Sequence, residues 1–266
     1  MSVGAGTAAN PANPGDADPG PDKGAPVAMA PVRLEARGLG LTLDGARILE
    51  GVTCSVEVRR LAVIGPNGSG KSTFLRLIDA LVQPTEGNLT VAGLDPAAEP
   101  RRVHEAVGFV FTNPDAQIIM PTVAEDVAFS LRNSRHGGRR LTTAEVDARV
   151  GAALARFGLD ELADVPARSL SGGQKQLLAL AAALAREPKL VLADEPTTML
   201  DLPNSLWVAR ELTERLPVPL IVATHNLELA ARCDLALRFE AGRLVEVDEP
   251  AVAIAHYRES VQPTTQ

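Results

Sequence analysis

Residues 65–73 read Gly65-Pro66-Asn67-Gly68-Ser69-Gly70-Lys71-Ser72-Thr73, and few folds can accommodate that loop in its setting. This G-x-x-x-x-G-K-[ST] pattern is entered from the apolar run Leu61-Ala62-Val63-Ile64 and left through Phe74-Leu75-Arg76-Leu77-Ile78. A buried strand before it and a helix after it are therefore expected, an α/β arrangement. Glycines let the backbone turn its N–H groups inward around phosphates. Lys71 brings a point charge to the terminal phosphates, and the Ser72 hydroxyl, at a helix N-terminus, is placed to ligate Mg²⁺. The competing reading is a Gly-rich strand-to-helix turn that happens to carry Lys-Ser; with strand and helix both in place, it is the weaker one.

At 266 residues the chain suits one large α/β domain, or one domain with a small insertion. Aromatic residues make up only 3%, so the core must be built from Ala, Leu and Val, and base stacking is poorly supplied. A formal net charge of −7 argues against a broad electrostatic footprint for nucleic acid, and no nucleic-acid partner is expected. Cys54 and Cys233 lack metal-type spacing and lie in apolar, strand-like segments; buried thiols are expected rather than a disulfide. The longest apolar run, residues 177–185, is nine residues, well short of the roughly twenty a bilayer span needs. No basic segment followed by an apolar stretch opens the chain, so a signal peptide is not expected. A soluble, cytosolic protein follows, held at a membrane only by other chains.

Residues 1–31 contain 19 Ala, Gly or Pro and no aromatic residue, a composition that cannot offset the entropy of ordering; a disordered tail is expected there. Short strands follow at 32–36, 48–58 and 61–64, with a turn at Asp44-Gly45. The helix from Lys71 is expected to end near Leu81, with strands at 88–91 and 107–111 beyond it. From about 115 to 187 the period is helical, with Val123, Val127 and Leu131 on one face and Val146, Val150, Leu154 and Phe157 on another. No segment of that insertion reads as a strand. The α/β pattern resumes with strands at 190–193 and 219–224 around a helix at 204–216. Strands at 235–239 and 244–247 flank Ala241-Gly242, a helix covers 250–257, and residues 259–266 form a polar tail.

Two further stretches carry chemistry. Asp194 and Glu195 end the apolar strand at 190–193; beside the phosphate loop, Asp194 suits Mg²⁺ held through water and Glu195 suits polarising an attacking water. The bland alternative is a solvated acidic turn before Pro196. In Leu170-Ser171-Gly172-Gly173-Gln174, Ser171 is a natural N-cap for the apolar helix that follows, and its free N–H groups attract an anion. Two glycines in a first helical turn cost about 1 kcal/mol each relative to Ala. Close approach of a phosphate accounts for them better than helix initiation does.

That pentapeptide is identical to the signature motif of ATP-binding cassette ATPases, and Ser171 stands 100 positions after Lys71 and 23 before Asp194, the usual order. The resemblance covers residues 32–258. It implies a P-loop NTPase cassette with a RecA-like core, an antiparallel β subdomain and a helical signature subdomain. It further implies ATP and Mg²⁺ as ligands and head-to-tail pairing of two cassettes, in which Ser171, Gly172, Gly173 and Gln174 of one close on the ATP held by residues 65–73 of the other. A homodimer is favoured over a heterodimer. By the same resemblance Asp194 corresponds to the magnesium-associated Walker B aspartate, Glu195 to the catalytic carboxylate, Asp201 to the end of the D-loop and His225 to the switch histidine at the γ-phosphate.

Two positions depart from the family pattern. Thr112 stands where the Q-loop Gln is usual, and its side chain is too short to span the same distance to Mg²⁺ and the attacking water; a bridging water, Asn113 or Gln117 are the alternatives. Leu43 stands near the usual adenine-stacking aromatic, which implies an aliphatic base contact and weak discrimination between ATP and GTP. The segment Asn113-Pro114-Asp115-Ala116-Gln117-Ile118, followed by Pro121-Thr122-Val123-Ala124-Glu125-Asp126-Val127-Ala128-Phe129, is similar to that of energy-coupling factor importers for vitamins and transition metals. Such an ATPase implies a transmembrane coupling subunit and a substrate-binding membrane subunit as partners, at the cytoplasmic face of the membrane. Glu125 and Asp126 either meet basic residues of the coupling subunit or serve the helix dipole. Arg59-Arg60-Leu61-Ala62-Val63-Ile64-Gly65 lacks the usual Gly-containing turn before the strand and in this resembles the biotin-type ATPases; cobalt or nickel uptake and a non-transport cassette ATPase are the alternatives.

Overall fold

The computed structural model describes residues 29–136 and 138–261. Most of the expected tail, residues 1–28, and the final residues 262–266 lie outside the described residues. Strands β1 (Val32–Leu43) and β2 (Ala46–Val58) form an antiparallel hairpin around Asp44-Gly45. After β3 (Arg60–Ile64) and helix α1 (Lys71–Ile78), strand β4 (Glu86–Val91) returns to the free edge of β1, giving the order β2-β1-β4. The first strand outruns the expected 32–36 because its register with β2 shifts beyond Ala36 and then continues to the turn.

The main sheet holds β3 with β5 (Val107–Val110), β8 (Leu190–Asp194), β9 (Leu220–Ala223), β10 (Leu235–Glu240) and β11 (Arg243–Asp248), in the order β11-β10-β3-β9-β8-β5. All neighbours are parallel except β10 and β11. Its inner strands are buried on both faces, as continuous apolar runs require. Because successive side chains point to opposite faces, the strands serve two cores. Leu61, Val63, Leu190, Leu192, Ile221 and Ala223 face α1 and the antiparallel sheet; Ala62, Ile64, Val191, Ala193, Leu220 and Val222 face the helical side. Each fully buried Leu or Ile contributes roughly 1.5–3 kcal/mol, so both faces are needed to hold the sheet.

Between β5 and β8 the chain is built from α3 (Val123–Ser130), α4 (Thr143–Arg156) and α5 (Gly172–Ala185). Each opens on a capping box, Thr122 with Glu125, Thr142 with Glu145 and Ser171 with Gln174, which satisfies N–H groups left free at a helix start. Val123, Val127, Leu131, Val150, Leu154 and Phe157 are buried together, while Val146 is only partly so. The parallel core, the antiparallel subdomain and the helical subdomain thus stand as expected.

Several local expectations need correction. The insertion contains a small hairpin, β6 (Arg135–His136) with β7 (Arg139–Arg140), too short to show a period. Helix α2 (Pro100–Ala106) adds to the expected elements, and Pro100 at its first turn is its start signal. Helix α1 stops at Ile78, not near Leu81, because Asp79 caps it and Ala80 turns left-handed at φ 58°. Helix α6 (Leu202–Arg210) passes into a π turn over Glu211–Arg215, and Arg60 collects one carbonyl from this turn and two from the segment that follows it. Arg60 is 4% exposed and donates to Thr213 O (3.0 Å), Leu216 O (2.6 Å) and Val218 O (2.8 Å). After the short α7 (Leu227–Ala230), Cys233 sits in a turn rather than a strand; it and Cys54 are buried and free. Helix α8 (Pro250–Val261) runs into the stretch read as a polar tail. Among the described residues, no helix is long and apolar enough to cross a membrane.

Candidate nucleotide site

The carboxyl ends of β3, β9, β8 and β5 deliver, in that spatial order, residues 65–73, His225, Asp194-Glu195 and Thr112 to one rim of the sheet. Parallel strands bind ligands at this end because the loops that leave them converge there. Gly65 has φ 145°, and a Cβ on it would lie 2.1 Å from Phe239 O, so only glycine lets the loop leave β3. Lys71 is 6% exposed and its Nζ donates to Gly65 O (2.7 Å) and Pro66 O (2.9 Å). Burial lowers its pKa, while Glu195 and Asp194 oppose that change. Ser69 is buried, and its Oγ has no partner among the described residues, a donor left for a ligand oxygen.

Asp194 is 2% exposed and accepts from Ser72 Oγ at 2.8 Å. Burial raises its pKa, whereas hydrogen bonds from Ser72 and Thr112 lower it. Three oxygens from α1, β8 and the end of β5 therefore gather at one point. That is the donor chemistry a hard divalent cation takes, with waters completing its shell. The alternatives for Thr112 are engaged elsewhere. Asn113 Oδ1 accepts from Asp115 N (3.0 Å), and Gln117 bridges Phe111 N (3.2 Å) to Ala179 O (3.2 Å).

Glu195 has φ 51°, uncommon for a residue with a side chain and worth about 1 kcal/mol of strain. Its N–H holds Ala223 O at 2.8 Å, and its carboxylate accepts from His225 N (3.0 Å) and Thr224 Oγ1 (3.3 Å). His225 Nδ1 lies 2.8 Å from the same carboxylate. Thr224, fully buried, also accepts from Asn226 N (3.0 Å), so its hydroxyl ties Glu195 to the His225 turn. Nothing in the local sequence marks Thr224 for that task.

The structure keeps the signature residues apart from the phosphate loop. Ser171 Oγ accepts from Gln174 N (3.3 Å) and Gln174 Oε1 from Ser171 N (3.0 Å). Side chains at Gly172 and Gly173 would meet Met199 and Leu200, not residues 65–73. Asp201 Oδ1 caps α6 by accepting from Asn204 N (3.1 Å). Leu43 is exposed at the β1–β2 hairpin. Asp126 is 4% exposed and accepts from Ile119 N (2.9 Å) and Met120 N (3.0 Å), while Glu125 closes its capping box. Both carboxylates therefore serve the chain's own backbone.

A phosphate loop at the head of a buried parallel strand, with an Asp-Glu pair on a nearby strand end and a capped Gly-Gly helix start, defines an ATP-binding cassette of the P-loop NTPase class. The ABC transporter family profile matches residues 50–198. A putative ABC transporter ATP-binding protein of Deinococcus radiodurans is 46% identical over 226 residues, 85% of this chain and 97% of that one. The biotin transport ATP-binding protein BioM of Rhizobium etli is 46% identical over 86% of this chain and 98% of its own. The energy-coupling factor transporter ATP-binding protein EcfA1 of Levilactobacillus brevis is 40% identical over 72% and 68%. Among solved structures, CbiO1 of Clostridium perfringens, part of the ABC transporter complex CbiONQ, superposes with TM-score 0.71 at 29% identity, covering 84% of this chain and 90% of that one. A dimeric bacterial ABC transporter cassette superposes with TM-score 0.73 at 25% identity, over 82% and 98%.

The chain belongs to the ABC transporter ATP-binding family. It is an ATPase, the ATP-binding subunit of an ABC transporter, and such cassettes act as dimers with transmembrane subunits.

Proposed function

We propose that this chain powers an energy-coupling-factor importer for biotin from the cytoplasmic face of the membrane. The observation that carries this reading is the 46% identity to Rhizobium etli BioM over nearly the whole of both chains, with a second BioM, from Rhodobacter capsulatus, at 36%. Two copies pair head to tail, joined to a transmembrane coupling subunit and a substrate-binding membrane subunit. The domain extends over 32–258, with the helical insertion at 115–187.

In this reading residues 65–73 wrap the phosphates, with the loop N–H groups and Lys71 facing their charge. Ser72 and Asp194, with Thr112 beside them, would hold Mg²⁺. When bound, the ion neutralises phosphate charge and orients the terminal phosphate. Glu195 accepts the proton of the attacking water. Thr224 and the His225 backbone N–H fix the carboxylate that does so, and the remaining ring nitrogen of His225 contacts the γ-phosphate. Ser171, Gly172, Gly173 and Gln174 of the second copy close the phosphates from the other side, and Asp201 steadies the turn between the two copies. Closure of the pair is passed to the membrane subunits.

The test is co-purification from detergent extracts of the native host, followed by labelled-biotin uptake with and without this chain. Recovery of two membrane proteins and loss of biotin uptake on deletion support the reading. Loss of cobalt or nickel uptake instead would assign a transition-metal importer, and the absence of membrane partners would leave a non-transport ATPase.

A further inference from the structure

We propose that Gly242, in the turn between β10 and β11, is a positioning residue of the nucleotide site that sets the phosphate loop through the Ser69 carbonyl. The inference rests on the reading of residues 65–73 as the phosphate site. The Gly242 N–H donates to Ser69 O at 3.1 Å, and Gly242 O accepts from Glu50 N at 2.9 Å. One residue thus joins the phosphate loop to β2, although 173 positions separate it from Ser69. A peptide unit is planar and trans, so its C=O and N–H point in opposite directions. Holding Ser69 O on Gly242 therefore fixes the direction of the Gly70 N–H, one of the loop donors, before a ligand arrives. Ser69 N bonds Pro66 O at 3.2 Å, which leaves the Ser69–Gly70 peptide as the part of the loop braced from outside.

Two more contacts make the brace stiff. Gly65 packs against Phe239 O, on the strand that leads into the same turn. Arg243 Nη2 pairs with Glu50 Oε2 at 2.7 Å, which ties the start of β11 to β2 beside Gly242, and Arg47 Nη1, on β2 itself, holds the other oxygen of Glu50 at 3.0 Å. The position admits no side chain. Its φ is 80°, and a Cβ would lie 2.6 Å from Ile48 O, a backbone atom that moves only if β2 moves.

The chain supplies its own control. Ala92-Gly93, after β4, has φ 51° and 75°, matching Ala241-Gly242 at 46° and 80°. A Cβ on Gly93 meets nothing within 4 Å. Gly93→Ala therefore carries the same left-handed strain without the clash, and the difference between the two variants isolates the brace.

The experiment measures MgATP affinity by calorimetry on the purified full-length chain, well below the melting temperature of each variant. Gly242→Ala is expected to raise the Kd about tenfold or more, while Gly93→Ala stays within about twofold of wild type. Wild-type affinity for Gly242→Ala, or equal losses in the two variants, overturns the proposal. Should Gly242→Ala fail to fold, hydrogen exchange on the wild type decides. ATP is expected to slow exchange at the Gly242 amide and not at Gly93, and an unchanged Gly242 amide overturns the proposal. Lys71→Ala separates the two readings: if it keeps full ATP affinity, the phosphate-site assignment fails, whereas if it loses affinity while Gly242→Ala does not, only the brace fails.

Discussion

Asp79 is an acid in the wrong place for a charge. It caps the C-terminal end of α1, where the carbonyls of the last turn already carry negative potential, and it is 6% exposed. Burial lifts its pKa from an ordinary 3.8 to about 7, with Arg186 opposing the rise. The folded acid holds its proton more tightly than the unfolded one, so between these values the folded state binds more protons, and stability falls as pH rises. The loss begins near pH 4 and levels off above about 7. At about 1.4 kcal/mol per pH unit across that window, the full cost is at most about 4 kcal/mol. Asp79→Asn removes the ionisation and keeps the shape. The variant should match the wild type near pH 4, exceed it by roughly 1.5 kcal/mol at pH 5, and by up to about 4 kcal/mol at pH 8. Urea unfolding of both proteins at pH 4, 5, 6, 7 and 8 reads this directly. A difference that stays constant with pH, or a variant less stable at pH 8, would refute the reasoning.

Glu195→Gln should lower steady-state phosphate release by about 10²–10⁴ with ATP affinity retained, since only proton acceptance is lost; a variant of undiminished turnover would remove Glu195 from the chemistry. Thr112→Gln should change both the ATPase rate and its Mg²⁺ dependence, and if neither moves, Thr112 is not standing in for the longer amide. Arg60→Met strands the carbonyls of Thr213, Leu216 and Val218 and should cost about 3 kcal/mol in urea unfolding, with no comparable loss from Arg59→Met. Competition binding should find ATP and GTP within about tenfold of each other, because an aliphatic contact at Leu43 discriminates bases weakly; a much stronger ATP preference would show that another side chain reads the base.

The phosphate loop, the Asp194-Glu195 pair and the Ser171 cap are readable in the sequence because each is a local backbone device whose residue types are dictated within a few positions. The same holds for the strands that serve two cores, whose apolar runs have no polar partner to alternate with. What stayed hidden is non-local or silent in pattern. The two-residue strands β6 and β7 carry no period, and α2, seven mostly polar residues, is too short to show one. Thr224 and Gly242 act on the site through one hydrogen bond each, and neither differs in type from residues in ordinary turns. Asp126 shows the opposite failure: an exposed charge is the natural reading of an acid at a helix start, yet its carboxylate is buried on two backbone N–H groups.

The order of the main sheet also bears on how the protein is made. The strand that feeds the phosphate loop, β3, lies between β9 and β10, which come from residues 220–240 of 266. During synthesis the loop and its helix leave the ribosome early, but both edges of β3 remain unpaired until most of the chain has followed. Pairing over such sequence separations is slow, and an open apolar strand is prone to association. The nascent chain therefore passes through a long interval in which its most recognisable motif exists without a framework, and a truncation before residue 220 should yield an aggregating product rather than a weakened ATPase.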